Sequence, residues 1–291
     1  MDLKIKFIDF WPDFDEANNL ITSALKKQYG DDLRIVENGN DYDICYCSIF
    51  GKERYKHGKR ILVLGENQRP DYRFCEYSLS CDYDSYCGKN FYLPLWLFEY
   101  DIFGDNCKAT LSYREFLGLC SPRNYSETWL TRRDKICAIF NNYDLGRINK
   151  LADLLKSGLV DGYGRYFGKT IAGGYRSKIR HLENYKFHFC TENSTSPGYI
   201  TEKLMHAYAA GCIPIYDCQN DHSNCLNRKC MIDLSSMDSK CLLSEMVSMM
   251  CNKDKMMETV NQPLLTTQMT KEDVYKTILK PAMLLLGGQS K

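Results

Sequence analysis

The chain has 291 residues, 44% of them hydrophobic, with 38 Lys and Arg residues against 37 Asp and Glu residues. This hydrophobic fraction excludes a disordered chain, and the length suits two ordinary domains or one large one. The chain lacks the basic surplus of most nucleic-acid-binding proteins, so we expect no nucleic-acid partner.

The fifteen cysteines are spread along the chain, and none form the Cys-x-x-Cys pair of common structural zinc sites. The closest spacings are Cys45/Cys47, Cys75/Cys81/Cys87 and Cys225/Cys230. This pattern favours reduced thiols packed as small hydrophobic side chains. The sequence also lacks a signal-like N-terminal core and any run of ~18 apolar residues. We therefore predict a cytoplasmic protein.

The first half of the chain alternates short apolar runs with a helical pattern. Residues 4–10, "KIKFIDF", are predicted as a strand, and residues 15–29 as a helix. Three further strands are predicted at "LRIVE", "YDICYC" and "RILVLGEN". Such alternation predicts βαβ units and a mainly parallel sheet.

Periodicity is weaker in the aromatic segment "FYLPLWLFEYD" and in the polar stretch at residues 120–133. We interpret the polar stretch as an inter-domain connection, although a surface loop inside one domain fits nearly as well. The predicted organisation is an N-terminal domain at 1–125, a second domain at 126–265 and a C-terminal helix at 266–291.

A second alternation follows. It consists of a strand at "KICAIFNN", a helix at "GRINKLADLLKSG", a glycine-rich loop at "VDGYGRYFGKTIAGG" and a strand at "KFHFC". The chain is therefore predicted to form two successive α/β halves. The final helix, "KEDVYKTILKPAMLLLGG", is expected to dock its apolar face on the protein. The alternative is a membrane-surface role, so peripheral association is the only membrane contact expected.

The segment after "KFHFC" is the most organised part of the sequence. The loop "TENSTSPG" leads into a helix that Thr201 can cap with its hydroxyl and that Gly211 stops. The strand "CIPIY" follows, and its Pro214 suggests an edge strand or an early strand position. This order places Glu202 and Lys203 in the first helical turn, at the carboxyl end of a parallel strand.

Ligands of open α/β sheets bind at that end, and a helix N-terminus favours an anion. A lysine in the first turn costs about 0.3–1 kcal/mol, which suggests that Lys203 is needed for a bound anion such as phosphate. A solvated pair fits the local pattern equally well. Arg147, at the start of another helix after a strand, would add a second cation and allow a diphosphate to bind without metal. A competing metal site would use Asp82 and Asp84.

The segment "ENSTSPGYITEKLMHAYAAGCIPIY" resembles the signature of the glycosyltransferase family 10 fucosyltransferases. Further similar segments are "LGENQRP", "FNNYDLGR" and "VDGYGR". The resemblance implies an α/β protein of the GT-B fold, with two Rossmann-like domains facing a cleft. It also implies inverting transfer of L-fucose from GDP-fucose to a glycan acceptor, often α1,3 to N-acetylglucosamine (or glucose).

The resemblance also implies roles for particular residues. Glu66 matches the family's catalytic base, and Arg147 and Lys203 match the cations on the diphosphate. No cofactor is expected to be required, and no catalytic metal. The donor contacts that the resemblance implies are Arg147, Asn193, Tyr199, Glu202 and Lys203.

The sequence departs from the family pattern at Thr191, where an aromatic residue is usual, and at Asp217 and Cys218, where small residues are usual. These departures leave open a relative that uses another nucleotide sugar or a surface-glycan acceptor. A non-catalytic nucleotide- or glycan-binding protein is a further alternative. The retention of Glu66 beside the donor residues favours an enzyme.

Overall fold

The computed structural model describes residues 2–53, 59–106 and 108–287. The chain divides into two compact units. Unit 1 comprises Met1–Phe116, Pro197–Tyr199 and Met269–Lys291, and unit 2 comprises Leu117–Ser196 and Ile200–Gln268. Residues 117–125 and 266–268 thus lie in unit 2, outside the predicted limits of the second domain.

Unit 1 contains a six-stranded sheet in which every pairing is parallel. Its strand order is β2-β1-β3-β4-β5-β6. The four predicted strands are confirmed as β1 to β4, and the residues of β3 and β4 are all buried, as expected inside a parallel sheet. The strands are β1 Leu3–Ile8, β2 Leu33–Ile35, β3 Ile44–Cys47, β4 Arg60–Val63, β5 Tyr77–Ser80 and β6 Asn90–Tyr92.

Helix α1, Leu20–Tyr29, begins later than the predicted residue 15, so that boundary was wrong. Asn19 is the N-cap, and its side-chain oxygen accepts from two backbone N–H groups of the first turn, both at 3.0 Å. The preceding residues turn around the Asp15 carboxylate instead. Short polar side chains compete with helix for backbone groups in this way.

The C-terminal helix docks on unit 1, as predicted. Helix α8, Lys271–Leu285, buries Val274, Ile278 and Leu279 and packs beside α1. Its Tyr275 hydroxyl donates to Gln28 at 2.6 Å. Two short strands, β7 Tyr100–Asp101 and β8 Leu111–Ser112, and helix α2, Tyr113–Leu117, complete the N-terminal part of the chain.

Unit 2 repeats the parallel architecture with the order β10-β9-β11-β12-β13. The two sheets, with five and six strands, confirm the predicted succession of α/β halves. The strands are β9 Arg133–Ile139, β10 Val160–Tyr163, β11 Tyr185–Phe189, β12 Ile213–Tyr216 and β13 Ile232–Asp233. The helices are α3 Leu145–Lys156, α4 Gly174–Leu182, α5 Glu202–Ala209, α6 Ser239–Met250 and α7 Lys253–Val260.

The structure contradicts one local prediction for unit 2 and decides between the alternatives of two others. The glycine-rich "loop" begins with β10, because the glycines allow close packing: a side chain at Gly164 would overlap the Phe140 carbonyl. Pro214 lies early in β12, as one alternative held, but β12 is flanked by β11 and β13 and is no edge strand. The stretch at 120–133 is part of unit 2, where Arg123 N–H donates to Asn261 O at 2.8 Å.

Candidate active site

The central strands of the unit 2 sheet, β9 and β11, define its topological switch point. From β9 the chain crosses to β10 on one side, whereas from β11 it crosses to β12 on the other. The two connections lead apart, which opens a crevice at the carboxyl ends of β9 and β11. Helices α3 and α5 follow these strands and begin at that crevice. Their N-terminal dipoles favour an anionic ligand there.

Arg147 lies in the first turn of α3, as predicted, and its surroundings hold it firmly. Its backbone N–H donates to the carboxylate of Asp144, the N-cap, at 2.8 Å. The guanidinium lies 4.6 Å from the centroid of the Phe140 ring, and Nε is 3.8 Å from Asp144 Oδ1. Cation–π and ion-pair contacts together fix the orientation of this largely buried cation.

Glu202 and Lys203 are the first two residues of α5, and a third ionisable residue joins them. Lys203 Nζ lies 2.9 Å from Glu192 Oε2 and 3.7 Å from Glu202 Oε1. Glu192 was assigned no role from sequence, because "TENS" is ordinary loop chemistry. Its side chain is only 2% exposed. The predicted acid–base pair is therefore a lysine between two carboxylates.

The predicted capping role of the Thr201 hydroxyl is wrong. Thr201 is the N-cap of α5, but its side chain caps no backbone N–H of the helix. Its hydroxyl hydrogen-bonds to the Glu192 carboxylate at 2.8 Å and accepts from Lys203 Nζ at 2.9 Å. A buried carboxylate is a stronger acceptor than a backbone group, and it competes successfully for the hydroxyl.

The pKa of Lys203 reflects both its acidic neighbours and the second predicted cation. Burial by itself lowers the pKa of Lys203, but Glu192 and Glu202 outweigh it and raise that pKa above its ordinary value. Arg147 is near enough to oppose them through its charge. The two cations that the sequence predicted thus lie at the starts of the two helices that border the crevice, α3 and α5.

A third cation, Lys178, was missed by sequence reasoning because helix α4 was not predicted. Burial by itself raises the pKa of Glu202, but Lys203, Lys178 and the His206 imidazole outweigh it and lower that pKa to about 2. Glu202 is therefore a carboxylate throughout the physiological range, able to accept hydrogen bonds from ligand hydroxyls.

The remaining unit 2 candidates flank this crevice. Asn193 is exposed in the loop between β11 and α5. Among the described residues, the buried Thr191 hydroxyl has no hydrogen-bond partner. Asp217 accepts from Lys150 Nζ at 2.6 Å, which ties the end of β12 to α3, and Cys218 is buried. Asp217 therefore has an ion-pair partner in unit 2, and Cys218 is packed in the interior of that unit.

Glu66 lies in unit 1, just after β4. Its Oε2 accepts a hydrogen bond of 3.1 Å from the Tyr199 hydroxyl. Tyr199 belongs to the short segment Pro197–Tyr199 that is part of unit 1, although its sequence neighbours lie in unit 2. The sequence grouped Tyr199 with the second domain, and the structure places its hydroxyl on the candidate base.

An aromatic surface lies against Gly65, the residue before Glu66, at the switch point between β1 and β3 of the unit 1 sheet. We define it as Trp11, from the loop after β1, and Phe50, from the loop after β3, with ring centroids 6.1 Å apart. Gly65 packs against both rings. Trp11 is half-buried, and Phe50 is 43% exposed. The surface is thus accessible and adjoins the carboxylate in sequence.

The two carboxylates of the competing metal site, Asp82 and Asp84, contact protein groups. Asp82 Oδ2 lies 3.1 Å from Arg69 NH1 and accepts from the Tyr86 hydroxyl at 2.6 Å. Asp84 Oδ1 accepts from the backbone N–H of Tyr86. In the part of the chain that the structure describes, no group of three or more His, Cys, Asp or Glu residues is placed to hold a metal ion.

Two parallel α/β units, each with a switch point, are the architecture of GT-B glycosyltransferases. A crystal structure of an alpha1,3-fucosyltransferase with GDP-fucose matches 100% of this chain and 92% of its own, with a TM-score of 0.75 and 19% identity. It therefore shares the fold. Two protein-family models match the sequence. The family model "Alpha-(1,3)-fucosyltransferase FucT N-terminal domain" matches residues 5–100, and the family model "Glycosyltransferase family 10 (fucosyltransferase) C-term" matches residues 129–261. The chain belongs to glycosyltransferase family 10.

Similar curated proteins are longer than this chain. The alpha-(1,3)-fucosyltransferase FucT of Helicobacter pylori is 24% identical in an alignment of 243 residues that covers 74% of this chain and 50% of that protein. The human 4-galactosyl-N-acetylglucosaminide 3-alpha-L-fucosyltransferase 9 is 32% identical over 82 residues, or 28% and 22% of the respective chains. The chain thus spans half or less of these relatives. No helix in the described ranges is long and apolar enough to cross a membrane.

Proposed function

We propose that the chain transfers L-fucose from GDP-fucose to a hydroxyl of a glycan acceptor, with inversion at the anomeric carbon. The acceptor is a lactosamine-type oligosaccharide, with α1,3 linkage to N-acetylglucosamine or glucose. Family membership supports this proposal, as do the names of its relatives. The observation that carries it is that Arg147 and Lys203 both lie in first helical turns at the unit 2 switch point, in α3 and α5 respectively.

Unit 2 would hold the donor. Arg147 and Lys203, at the starts of α3 and α5, suit a diphosphate, since fixed cations and helix N-termini both favour it. Glu202, held ionised, suits the two ribose hydroxyls. Asn193 would contribute from its exposed loop. We propose that no cofactor or catalytic metal is needed, because the two cations can offset the charge that develops on GDP.

Glu66 would be the general base. Its carboxylate takes the proton of the attacking acceptor hydroxyl as the new bond to the anomeric carbon forms. The bond from that carbon to the phosphate oxygen breaks in the same displacement, and GDP leaves with the electron pair. Base catalysis of this kind contributes roughly 10²–10⁴-fold. The Tyr199 hydroxyl supports this role because it holds the carboxylate in place.

Unit 1 would bind the acceptor. The aromatic surface of Trp11 and Phe50 offers apolar ring faces next to the Gly65–Glu66 turn. Binding sites for small molecules commonly combine such faces with a few polar groups. We place the protein in the cytoplasm, supported by the burial of most of its thiols as small apolar side chains. Its partners would be GDP-fucose and the glycan, with at most peripheral membrane contact.

The test is a calorimetric titration of the chain with GDP-fucose, GDP-mannose, UDP-galactose and GDP, followed by an assay for fucosylated product. We expect binding of the GDP ligands, and product formation that persists with a chelator. Lys203→Ala should lower the affinity for GDP at least about tenfold, because it removes a charge-assisted contact. Preference for the UDP sugar would contradict the donor assignment. Donor binding without any product would favour a non-catalytic protein.

A further inference from the structure

Glu192 is the most deeply buried acid at the switch point of unit 2. It follows β11, and its two carboxylate oxygens receive hydrogen bonds from two elements. The Thr201 backbone N–H donates at 2.8 Å, Lys203 Nζ at 2.9 Å and the Tyr216 hydroxyl of β12 at 3.4 Å. The Thr201 hydroxyl adds a fourth contact. A carboxylate is tolerated at such burial only when it is paired in this way.

This network decides where the Lys203 ammonium lies. Lys203 Nζ is close to Glu192 and to the Thr201 hydroxyl, both at 2.9 Å, and farther from Glu202, at 3.7 Å. The Tyr216 and Thr201 contacts anchor Glu192, so it is the fixed partner. Glu202 is more exposed than Glu192, with side-chain exposures of 23% and 2%. The lysine is therefore held on the buried acid, and the exposed acid remains available to a ligand.

We propose that Glu192 is a positioning residue that prevents Lys203 from closing on Glu202. The inference rests on the proposed function, in which Lys203 binds the diphosphate and Glu202 the ribose. A lysine and an acid adjacent in sequence and within 4 Å of each other would otherwise neutralise one another. With Glu192 and the Thr201 hydroxyl as its fixed partners, Lys203 presents its remaining N–H group to phosphate, while Glu202 keeps its oxygens for hydroxyls.

Glu192→Gln tests this arrangement because it preserves shape and an oxygen acceptor for Thr201 but removes the charge that holds Lys203. Lys203 is then expected to move toward Glu202. Both ligand contacts would weaken together, and misplacement of about 1 Å can cost up to ~10²-fold. If Glu192 acted only as a negative charge near the phosphates, its removal would strengthen GDP binding. The sign of the change separates the two roles.

The experiment measures affinities for GDP, guanosine and 2′-deoxy-GDP by calorimetry. In Glu192→Gln we expect the preference for GDP over guanosine to fall at least about tenfold. The preference for GDP over 2′-deoxy-GDP should fall toward one. A merely structural defect would lower the affinities for all three ligands by the same factor and leave their ratios unchanged. The matched control is Glu183→Gln, which changes an exposed acid at the end of α4 and should leave the three affinities as in the wild type.

Unchanged ratios, or tighter GDP binding, in a folded Glu192→Gln protein would overturn the inference. If that variant does not fold, the same affinities are measured for Thr201→Val, which removes the hydroxyl that bridges Glu192 and Lys203. Wild-type ratios in Thr201→Val would then also overturn it. A wild-type protein that binds no GDP would refute the proposed function and this inference together. Normal GDP binding with unaltered ratios in the variant refutes the positioning role alone.

Discussion

Tyr199 donates a hydrogen bond of 3.1 Å to the carboxylate of Glu66, across a sequence separation of 133 residues. The contact depends on the segment Pro197–Tyr199, which is part of unit 1 while the chain on either side belongs to unit 2. The family signature is thus shared between the two units. Its central tyrosine contacts the candidate base, and its acidic and basic residues form the candidate donor site.

Glu66→Gln is expected to leave GDP-fucose binding intact and to lower kcat by roughly 10²–10⁴-fold, because an amide cannot take the acceptor proton. Initial rates of transfer together with calorimetry of donor binding measure the two effects. Glu76→Gln, a change at an acid of the same unit, serves as the control. Normal turnover in Glu66→Gln would refute the assignment of the base.

Tyr199→Phe separates two roles for the tyrosine. If it positions Glu66, the variant should lose roughly 10- to 10²-fold in kcat with little change in KM for GDP-fucose, since a hydrogen bond to a charged group contributes about 1.5–3 kcal/mol. If it is instead a donor contact, as the family resemblance implies, KM for GDP-fucose should rise while kcat is retained. Steady-state kinetics with varied donor decides between them.

Gly198→Ala is expected to destabilise unit 1 by at least ~2 kcal/mol and to disrupt the Tyr199–Glu66 contact. Gly198 has a φ of +81°, and a Cβ there would overlap the carbonyl oxygen of Cys81. Gly88 has the same φ but no heavy atom within 4 Å of an added Cβ. Gly88→Ala therefore shows the cost of the backbone strain alone. Chemical denaturation gives the free energy of unfolding of both variants, and the extra loss in Gly198→Ala is the cost of the overlap with Cys81. Equal losses would mean that the loop moves freely away from Cys81.

His188 should make the protein less stable in acid. Burial, reinforced by Lys178, lowers the pKa of His188 to about 3, although the Cys137 carbonyl opposes the shift. Below pH 6.5 the unfolded chain binds a proton that the folded chain does not, so stability falls as pH falls toward 3. The loss is at most ~1.4 kcal/mol per pH unit.

Replacing this histidine tests that origin of the acid sensitivity. Urea denaturation of His188→Gln between pH 7.5 and 5 should show a flatter dependence of the free energy of unfolding on pH. His222 is exposed, and His222→Gln should keep the wild-type slope. An unchanged slope in His188→Gln would show that other groups dominate the acid response.

Trp11→Ala is expected to raise KM for the glycan acceptor about tenfold without changing GDP affinity, because the aromatic surface beside Glu66 would be lost. Trp11→Phe keeps a ring there and should lose less. Leu284→Ala removes another exposed apolar side chain of unit 1 and serves as the control. A weaker affinity for GDP in Trp11→Ala would assign this surface to the donor instead.

Several elements followed from the sequence because their signals are local. The apolar runs of β3 and β4 predict strands, since burial inside a parallel sheet favours continuous apolar residues, whereas in β1 buried apolar residues occupy every second position. Alternation with helical patterns predicts parallel α/β halves. The first turn of α3 and the first turn of α5 could likewise be placed from loop and helix signals, which put Arg147 and Lys203 at helix starts.

Only the tertiary structure decided which of these residues meet. Glu192 became the partner of Lys203 across one loop, and Tyr199 that of Glu66 across 133 residues, because only the folded chain brings these side chains together, and no local pattern records such contacts. Likewise, the Thr201 hydroxyl hydrogen-bonds to the buried Glu192 carboxylate and not to the backbone of its own helix. The sequence by itself determined most of the elements and the chemistry they carry, whereas packing at the switch point determined the partners that orient that chemistry, since burial makes an unpaired charge costly.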